Sequence, residues 1–255
     1  MVNWEPEYDY VFIDPIFYPK PEVLGSYDDL NHGRKDIKSE TLRYYYNKFN
    51  IKKEFIDSGF KVPELYYHSN KQENIIETLR KYDSFVAKPC HMSESDLVII
   101  KNPKAIVDYE LVNEKINGSL ITEAREKEPD MLRYCDKGFL IEEYIPVLYE
   151  LKVFVVWGCP LLADLRSGST EFYRLYFIDK NNPYFDWSKE YDLIKEFSKK
   201  IKLDFYRIDF LINESGIYAS ECAFMPSTDL PDDIKTHISN KWSNIYYKLY
   251  YPQLF

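Results

Sequence analysis

Glycine is scarce in this chain, 8 of 255 residues. A phosphate-binding loop of the usual kind needs glycine, because only an unsubstituted Cα lets backbone N–H groups close on the ligand. The polar loop after Lys88 has none, so a phosphate site there would have to rely on side chains. Positive charge is also in deficit. Lys and Arg number 33 against 42 Asp and Glu, a net charge of −9. That balance argues against a nucleic-acid or anionic-membrane surface but leaves room for a local basic pocket. The four cysteines, Cys90, Cys135, Cys159 and Cys222, form no CxxC pair and no zinc spacing. They read as free buried thiols in a reducing compartment. No apolar run approaches the ~20 residues of a membrane-spanning helix. The start, Met1-Val-Asn-Trp-Glu-Pro6, lacks the basic residues and apolar stretch of a signal peptide. The expectation is a cytoplasmic protein without a membrane span, repeats or low-complexity tracts.

What is present is an ordinary globular mixture, 45% hydrophobic and 29% charged, with 17% aromatics led by tyrosine. The first forty residues offer only a short strand signal at Val11–Asp14 before Pro15, Pro19, Pro21 and Gly25 break the pattern. A helix is predicted over Glu40–Ser58, ended by Gly59, and a second over Gln72–Lys81. Strands are expected at Val62–Tyr67, Ser84–Lys88 and Leu97–Ile100. A helical stretch over Ala105–Arg133, broken near Asn117-Gly118, leads to strands at Phe139–Glu143, Glu150–Trp157, Leu161–Arg166 and Phe172–Ile178. Helices at Trp187–Lys199 and Asp232–Tyr250 flank a hairpin of Phe205–Ile212 and Ile217–Cys222. The fold class is α+β, with mostly antiparallel hairpins.

Four fragments could carry chemistry. Lys88 ends an apolar strand and opens the polar loop holding His91, Ser93 and Ser95, where an ammonium can reach phosphate oxygens. Lys48 follows Asn47 on the first helix; by itself it reads as a solvated lysine. The strand end Phe139–Ile145 could offer backbone groups to a purine ring, or simply be an acidic strand end. Asp209 and Glu221 lie on paired apolar strands, where buried carboxylates need partners. They suit Mg²⁺ or a salt bridge, Arg207 being two residues from Asp209. A regular hairpin around Asn213–Gly216 would set Asp209 opposite Ser220. One extra residue in the loop, or a bulge, would set it opposite Glu221.

The order of these pieces resembles the ATP-grasp superfamily. Asn47-Lys48 followed by Gly59 and Val62-Pro63 is similar to its opening helix, and Phe85-Val-Ala-Lys88-Pro89 to its second lysine strand. Ile141-Glu142-Glu143-Tyr144-Ile145 resembles its adenine hinge, with Glu150 near the ribose-binding acid. Arg207-Ile-Asp209 and Ser220-Glu221-Cys-Ala-Phe-Met-Pro226 resemble its metal-binding strands. Within the superfamily, Lys88-Pro-Cys-His91-x-Ser93, Glu150-Leu-Lys152-Val-Phe154 and Glu221-Cys-Ala-Phe224-Met-Pro226 resemble the TupA-like group, which is linked to cell-surface polymer synthesis. Ala223 stands where the superfamily has Asn or Thr, and Met92 where the loop has Gly.

The resemblance implies two α+β subdomains clasping a nucleotide: a short N-terminal segment over 1–40, a small subdomain over 41–140 and a large one over 141–255. It implies ATP and Mg²⁺ as cofactors. Lys48, Lys88, His91, Ser93, Glu142, Glu143, Tyr144, Ile145 and Glu150 would hold the nucleotide, and Asp209 and Glu221 the metal. Arg207, Lys152 and Arg166 would be catalytic, with Arg166 and Arg174 gripping an acidic substrate, either a small molecule or a peptide or glycan bearing a carboxylate. The implied reaction is carboxylate–amine ligation through an acyl phosphate. A kinase on the same fold, a non-catalytic nucleotide-binding protein and a glycan-associated module remain the alternatives.

Overall fold

The computed structural model describes residues 27, 40–92, 99–102, 104, 106–121, 135–167, 174–177, 185–224, 226, 230–251 and 253. Two antiparallel sheets organise them. The first has four strands in the order β1-β4-β2-β3: β1 (Leu65–Ser69), β2 (Phe85–Pro89), β3 (Ile99–Lys101) and β4 (Phe139–Glu142). Side chains alternate between sheet faces. Phe85, Ala87, Phe139 and Ile141 fall on one face and are buried with Ile75, Leu79, Val112 and Ile116. Those partners lie on or beside helices α3 (Ile76–Leu79) and α4 (Tyr109–Ser119). The register sets Val86 opposite Glu142 and Lys88 opposite Leu140, so Lys88 and Glu142 share the other face.

The second sheet runs β7-β6-β5-β8-β9, with β5 (Tyr149–Val156), β6 (Cys159–Ser167), β7 (Arg174–Phe177), β8 (Phe205–Asn213) and β9 (Gly216–Ala223). One face carries Leu151, Val153, Leu165, Ile208 and Phe210. These residues pack with Ile51 and Phe55 of α2 (Lys48–Asp57) and with Ile194 and Phe197 of α5 (Ser188–Ile201). At one end of the opposite face, Phe154, Leu162 and Phe205 are covered by Ile238, Trp242 and Tyr246 of α6 (Asp232–Tyr250). The other end of that face is polar. Among the described residues no helix is long and apolar enough to cross a membrane, and all four cysteines are free and buried.

Three helices differ from expectation. The predicted helix over Glu40–Ser58 is two, α1 (Glu40–Tyr46) and α2, separated at Asn47. Asn47 leaves the helical region and caps α2, its side chain accepting from the N–H groups of Phe49 and Asn50 at 3.0 and 3.2 Å. Asn at an N-cap satisfies donors that a continuing helix would satisfy internally. The helix expected at Gln72–Lys81 is the single turn α3, because Asn113 and Asn117 side chains take the preceding backbone N–H groups of Ile75 and Glu73. The middle helix begins at Tyr109, capped by Asp108, and runs through Asn117-Gly118 to Ser119. The strand expected at Val11–Asp14, the candidate ligand Ser93 and the part of the middle helix expected beyond Ile121 lie outside the described residues.

Two turns fix the second sheet. Trp157 and Gly158 both have positive φ, 51° and 81°, and join β5 to β6 as a two-residue hairpin of the type that demands such angles. Trp157 is held there by its backbone N–H on the Asp204 carbonyl at 2.7 Å and by its ring N–H on the Trp242 carbonyl at 3.1 Å. In the β8–β9 hairpin Asn213 pairs with Gly216 and Phe210 with Ala219, yet Asp209 faces Glu221. Ser220 is the extra residue of a β-bulge, its hydroxyl donating to the Asp209 carbonyl at 3.1 Å. The bulge resolves the register question and sets both acids on the polar face.

Candidate active site

The cations come from the first sheet and from α2. The N–H of Lys48 donates to the Cys90 carbonyl at 2.9 Å, joining the helix start to the end of β2. The Lys48 ammonium donates to the Met92 carbonyl, so this lysine holds the loop after β2. One turn further on, Lys52 is buried and its Nζ lies 2.7 Å from Glu142 Oε2. Lys88 pairs with the other oxygen, Oε1, of the same carboxylate. Sequence reasoning missed Lys52; its one signal is the spacing Lys48-x-x-x-Lys52, which places the two on one helix face. Burial pulls Lys52 below the ordinary lysine pKa, against the opposing pull of Glu142. At Lys88 burial acts the same way, but Glu142 and then Glu221 outweigh it and the pKa is raised. Burial alone would raise Glu142; Lys88 and Lys52 reverse that and hold it below the ordinary carboxylate value.

The rest of the hinge segment is tied locally. The Glu143 N–H donates to the Glu64 carbonyl at 2.9 Å, and its carboxylate accepts from the Glu64 N–H at 3.1 Å. Tyr144 is half-buried, Ile145 is buried and His91 is 1% exposed.

The acids lie on the second sheet. Pairing sets Tyr176, Asp164, Lys152, Asp209 and Glu221 opposite one another in turn across β7, β6, β5, β8 and β9, so all five share the polar face. Asp209 is 2% exposed. Its Oδ1 accepts from Arg207 Nε at 2.5 Å; its Oδ2 accepts from Arg207 Nη2 at 2.7 Å and Lys152 Nζ at 2.8 Å. Lys152 also reaches Glu150 at 2.9 Å. Burial disfavours the Asp209 anion, but Arg207 and Lys152 overcome it and lower the pKa. Arg207 is raised, Asp209 and then Glu221 outweighing burial. Glu221 is half-exposed, and its carboxylate forms no hydrogen bond or ion pair among the described residues. It is nonetheless close enough to bias both Lys88 and Arg207. An acid of the second sheet thus lies within electrostatic range of a lysine of the first. Further along the polar face, Arg166 and Arg174 both bond Asp164.

These side chains fit a divalent cation and a polyphosphate. A carboxylate offers about four lone-pair sites. Asp209 has three taken, leaving one on Oδ1, and Glu221 keeps its own. No group of three or more His, Cys, Asp or Glu side chains able to hold a metal exists among the described residues. Ala223, opposite Arg207, adds no ligand. Two carboxylates suit an ion such as Mg²⁺, which fills its other positions with water and phosphate oxygens. Lys52 and Lys88 share one acid, which balances only one of their two charges, and the excess positive charge complements a polyphosphate.

No protein-family model matches the sequence and no curated protein matches it. Solved structures do. A D-alanine–D-alanine ligase from Bacillus anthracis aligns at TM-score 0.51 and 14% identity, over 82% of this chain and 67% of that one. The macrocyclase MdnC bound with precursor peptide MdnA, from Microcystis aeruginosa, aligns at 0.51 and 14%, over 79% and 62%. A Chryseobacterium gregarium RiPP-associated ATP-grasp ligase, in complex with ADP and a leader and core peptide, aligns at 0.50 and 16%, over 86% and 66%. The chain spans less of others, 61% of an ATP-complexed D-alanine–D-alanine ligase from Bacillus anthracis and 53% of the ATP-grasp ligase PsnB complexed with a minimal precursor.

Proposed function

We propose, on the premise that the chain has the ATP-grasp fold, that it is an ATP-dependent ligase joining a carboxylate to an amine. The observation that carries this reading is that α2 joins the two charge clusters, its Lys52 bonding Glu142 of the first sheet while its Ile51 and Phe55 pack under the second. Lys52 and Lys88 are gathered on Glu142, and Glu221 biases Lys88 from the opposite sheet. A polyphosphate with its cation would lie between them, the lysines against its oxygens.

The chain's part in the reaction is to orient and to balance charge. A carboxylate oxygen of the acid attacks the γ-phosphorus, the bond to the β–γ bridging oxygen breaks, and ADP leaves with those electrons. The amine nitrogen then attacks the acyl carbon, the bond to the phosphate oxygen breaks, and inorganic phosphate and one proton are released. Lys52 and Lys88 hold phosphate oxygens, at which point Glu142 shares its two cations with the nucleotide. Arg207 and Lys152 keep Asp209 ionised and aimed. Arg166 supplies a further cation to the reacting centre. Bound to Asp209 and Glu221, Mg²⁺ would supply neutralisation of phosphate charge.

The resemblance to the TupA-like group directs this chemistry to surface polymers. A peptide acid is equally open to the site, since two of the aligned ligases are in complex with peptides. The test is ADP release with MgATP, with and without an added amine. Ligation expects amine-dependent release; amine-independent phosphorylation of a hydroxyl acceptor would make the chain a kinase. An Asp209→Asn protein that kept full ATP-dependent turnover would refute the assignment. Calorimetric binding of MgATP without any turnover would support a non-catalytic nucleotide-binding protein instead.

A further inference from the structure

Asp164 is 0% exposed and bonds two arginines. Its Oδ2 accepts from Arg166 Nε and Nη2 at 3.0 and 2.8 Å and from Arg174 Nη2 at 2.9 Å; its Oδ1 accepts from Arg174 Nε at 2.9 Å. Arg174 stands opposite Arg166 on β7 and lies over the Tyr176 ring at 4.9 Å.

A guanidinium is a rigid plane with two donor edges, one made of Nε and one Nη, the other of the two Nη groups. Arg166 turns the first edge onto Asp164. Fixing that edge of a plane fixes the other, which has to point away from the carboxylate. The Arg166 side chain is 24% exposed, so its free edge opens onto the polar face. Asp164 stands opposite Lys152, and Lys152 opposite Asp209. Two strand spacings, ~10 Å, separate the two acids, and a side chain as long as arginine can bridge much of that distance.

We propose that Asp164 is a positioning residue. It presets Arg166 so that the free edge meets the oxygens of the transferring phosphoryl group, and Arg174 braces Asp164 from the far side. The inference rests on the ligase reading above.

The test uses the full chain and two probes, MgADP alone and MgADP with aluminium fluoride, which stands in for the phosphoryl group. Wild type is expected to bind the fluoride complex more tightly than MgADP. Arg166→Gln and Asp164→Asn should each reduce that gain by about tenfold, with MgADP affinity held within about twofold. Asp164→Asn placed in the Arg166→Gln background should cost nothing more, as expected when one residue acts through the other. Asp164→Glu should recover part of the gain. A gain untouched by Asp164→Asn, or a double variant in which the losses add, overturns the proposal while leaving the ligase reading standing. Should Asp164→Asn fail to fold, Arg166→Lys keeps the charge without the fork; full retention of the gain by that variant is equally fatal. A wild type that binds neither probe overturns the ligase reading and this inference together.

Discussion

Glu142 is the residue on which the lysine cluster of the site depends. One buried carboxylate pairs with two lysines, Lys52 of α2 and Lys88 of β2, and balances one of their two charges. Removing one partner of a buried pair leaves the other charge uncompensated. Glu142→Gln is therefore expected to lower stability by about 3 kcal/mol, read from urea denaturation. The pH dependence follows from the same pairing. Glu142 and Asp209 are held below the ordinary carboxylate pKa by their cations, against burial. The unfolded chain thus binds more protons than the folded one. The stability they contribute is fully present above about pH 5 and is lost as pH falls through the folded values. Urea midpoints taken from about pH 6 to 3 should fall steeply in wild type and less so in Glu142→Gln. Asp209 and Glu221 stood out in the sequence as acids on paired apolar strands, and Lys88 as a lysine that ends an apolar strand at a polar loop. Lys52 did not. A lysine on a mixed helix face is ordinarily solvated, and only its partner 90 residues away shows otherwise.

At the scale of elements, the capping of α2 matters most. Asn47 accepts from two backbone N–H groups and its Nδ2 donates to the Asp136 carbonyl at 2.9 Å. Lys48 and Lys52 project from the turns that this cap secures. Asn47→Ala should cost about 1–2 kcal/mol in urea denaturation. It should also weaken MgATP binding measured by calorimetry, whereas Asn47→Asp, which keeps the acceptor, should be milder in both. The break at Asn47 escaped sequence reasoning because the apolar spacing continues through it; Asn reads equally as a tolerated helix residue and as a cap. The hairpin acids were read only as two registers. Counting residues fixes the turn, but whether Ser220 is extruded depends on which face each neighbour can bury. Here Phe210 and Cys222 fall in the core.

For the whole molecule, the pattern of helices and hairpin strands made the α+β class legible; how the strands divide into two sheets was not. Nor was which helix covers which sheet, because that depends on three-dimensional packing between distant segments. The two charge clusters sit on different sheets, so a ligand between them binds only the folded chain. MgATP at a hundred times its Kd should add about 2.7 kcal/mol, or about 5–10 °C in Tm for a chain of this size, seen by differential scanning fluorimetry. Lys88→Met should abolish most of that shift.

Helix α2 serves both halves. Its start is tied to the end of β2 by the Lys48 N–H, while Ile51 and Phe55 are embedded in the core beneath the second sheet. Lys52 sits next to Ile51 in sequence and faces Glu142 instead. The helix is thus a single inherited unit in which ligand-facing and core-facing positions alternate at neighbouring codons. Divergence at the pocket here is filtered first by abundance of folded protein and only then by catalysis. On the proposed reading, specificity is freer to drift on the sheet face of β6 and β7 than on a helix whose alternate positions belong to the core.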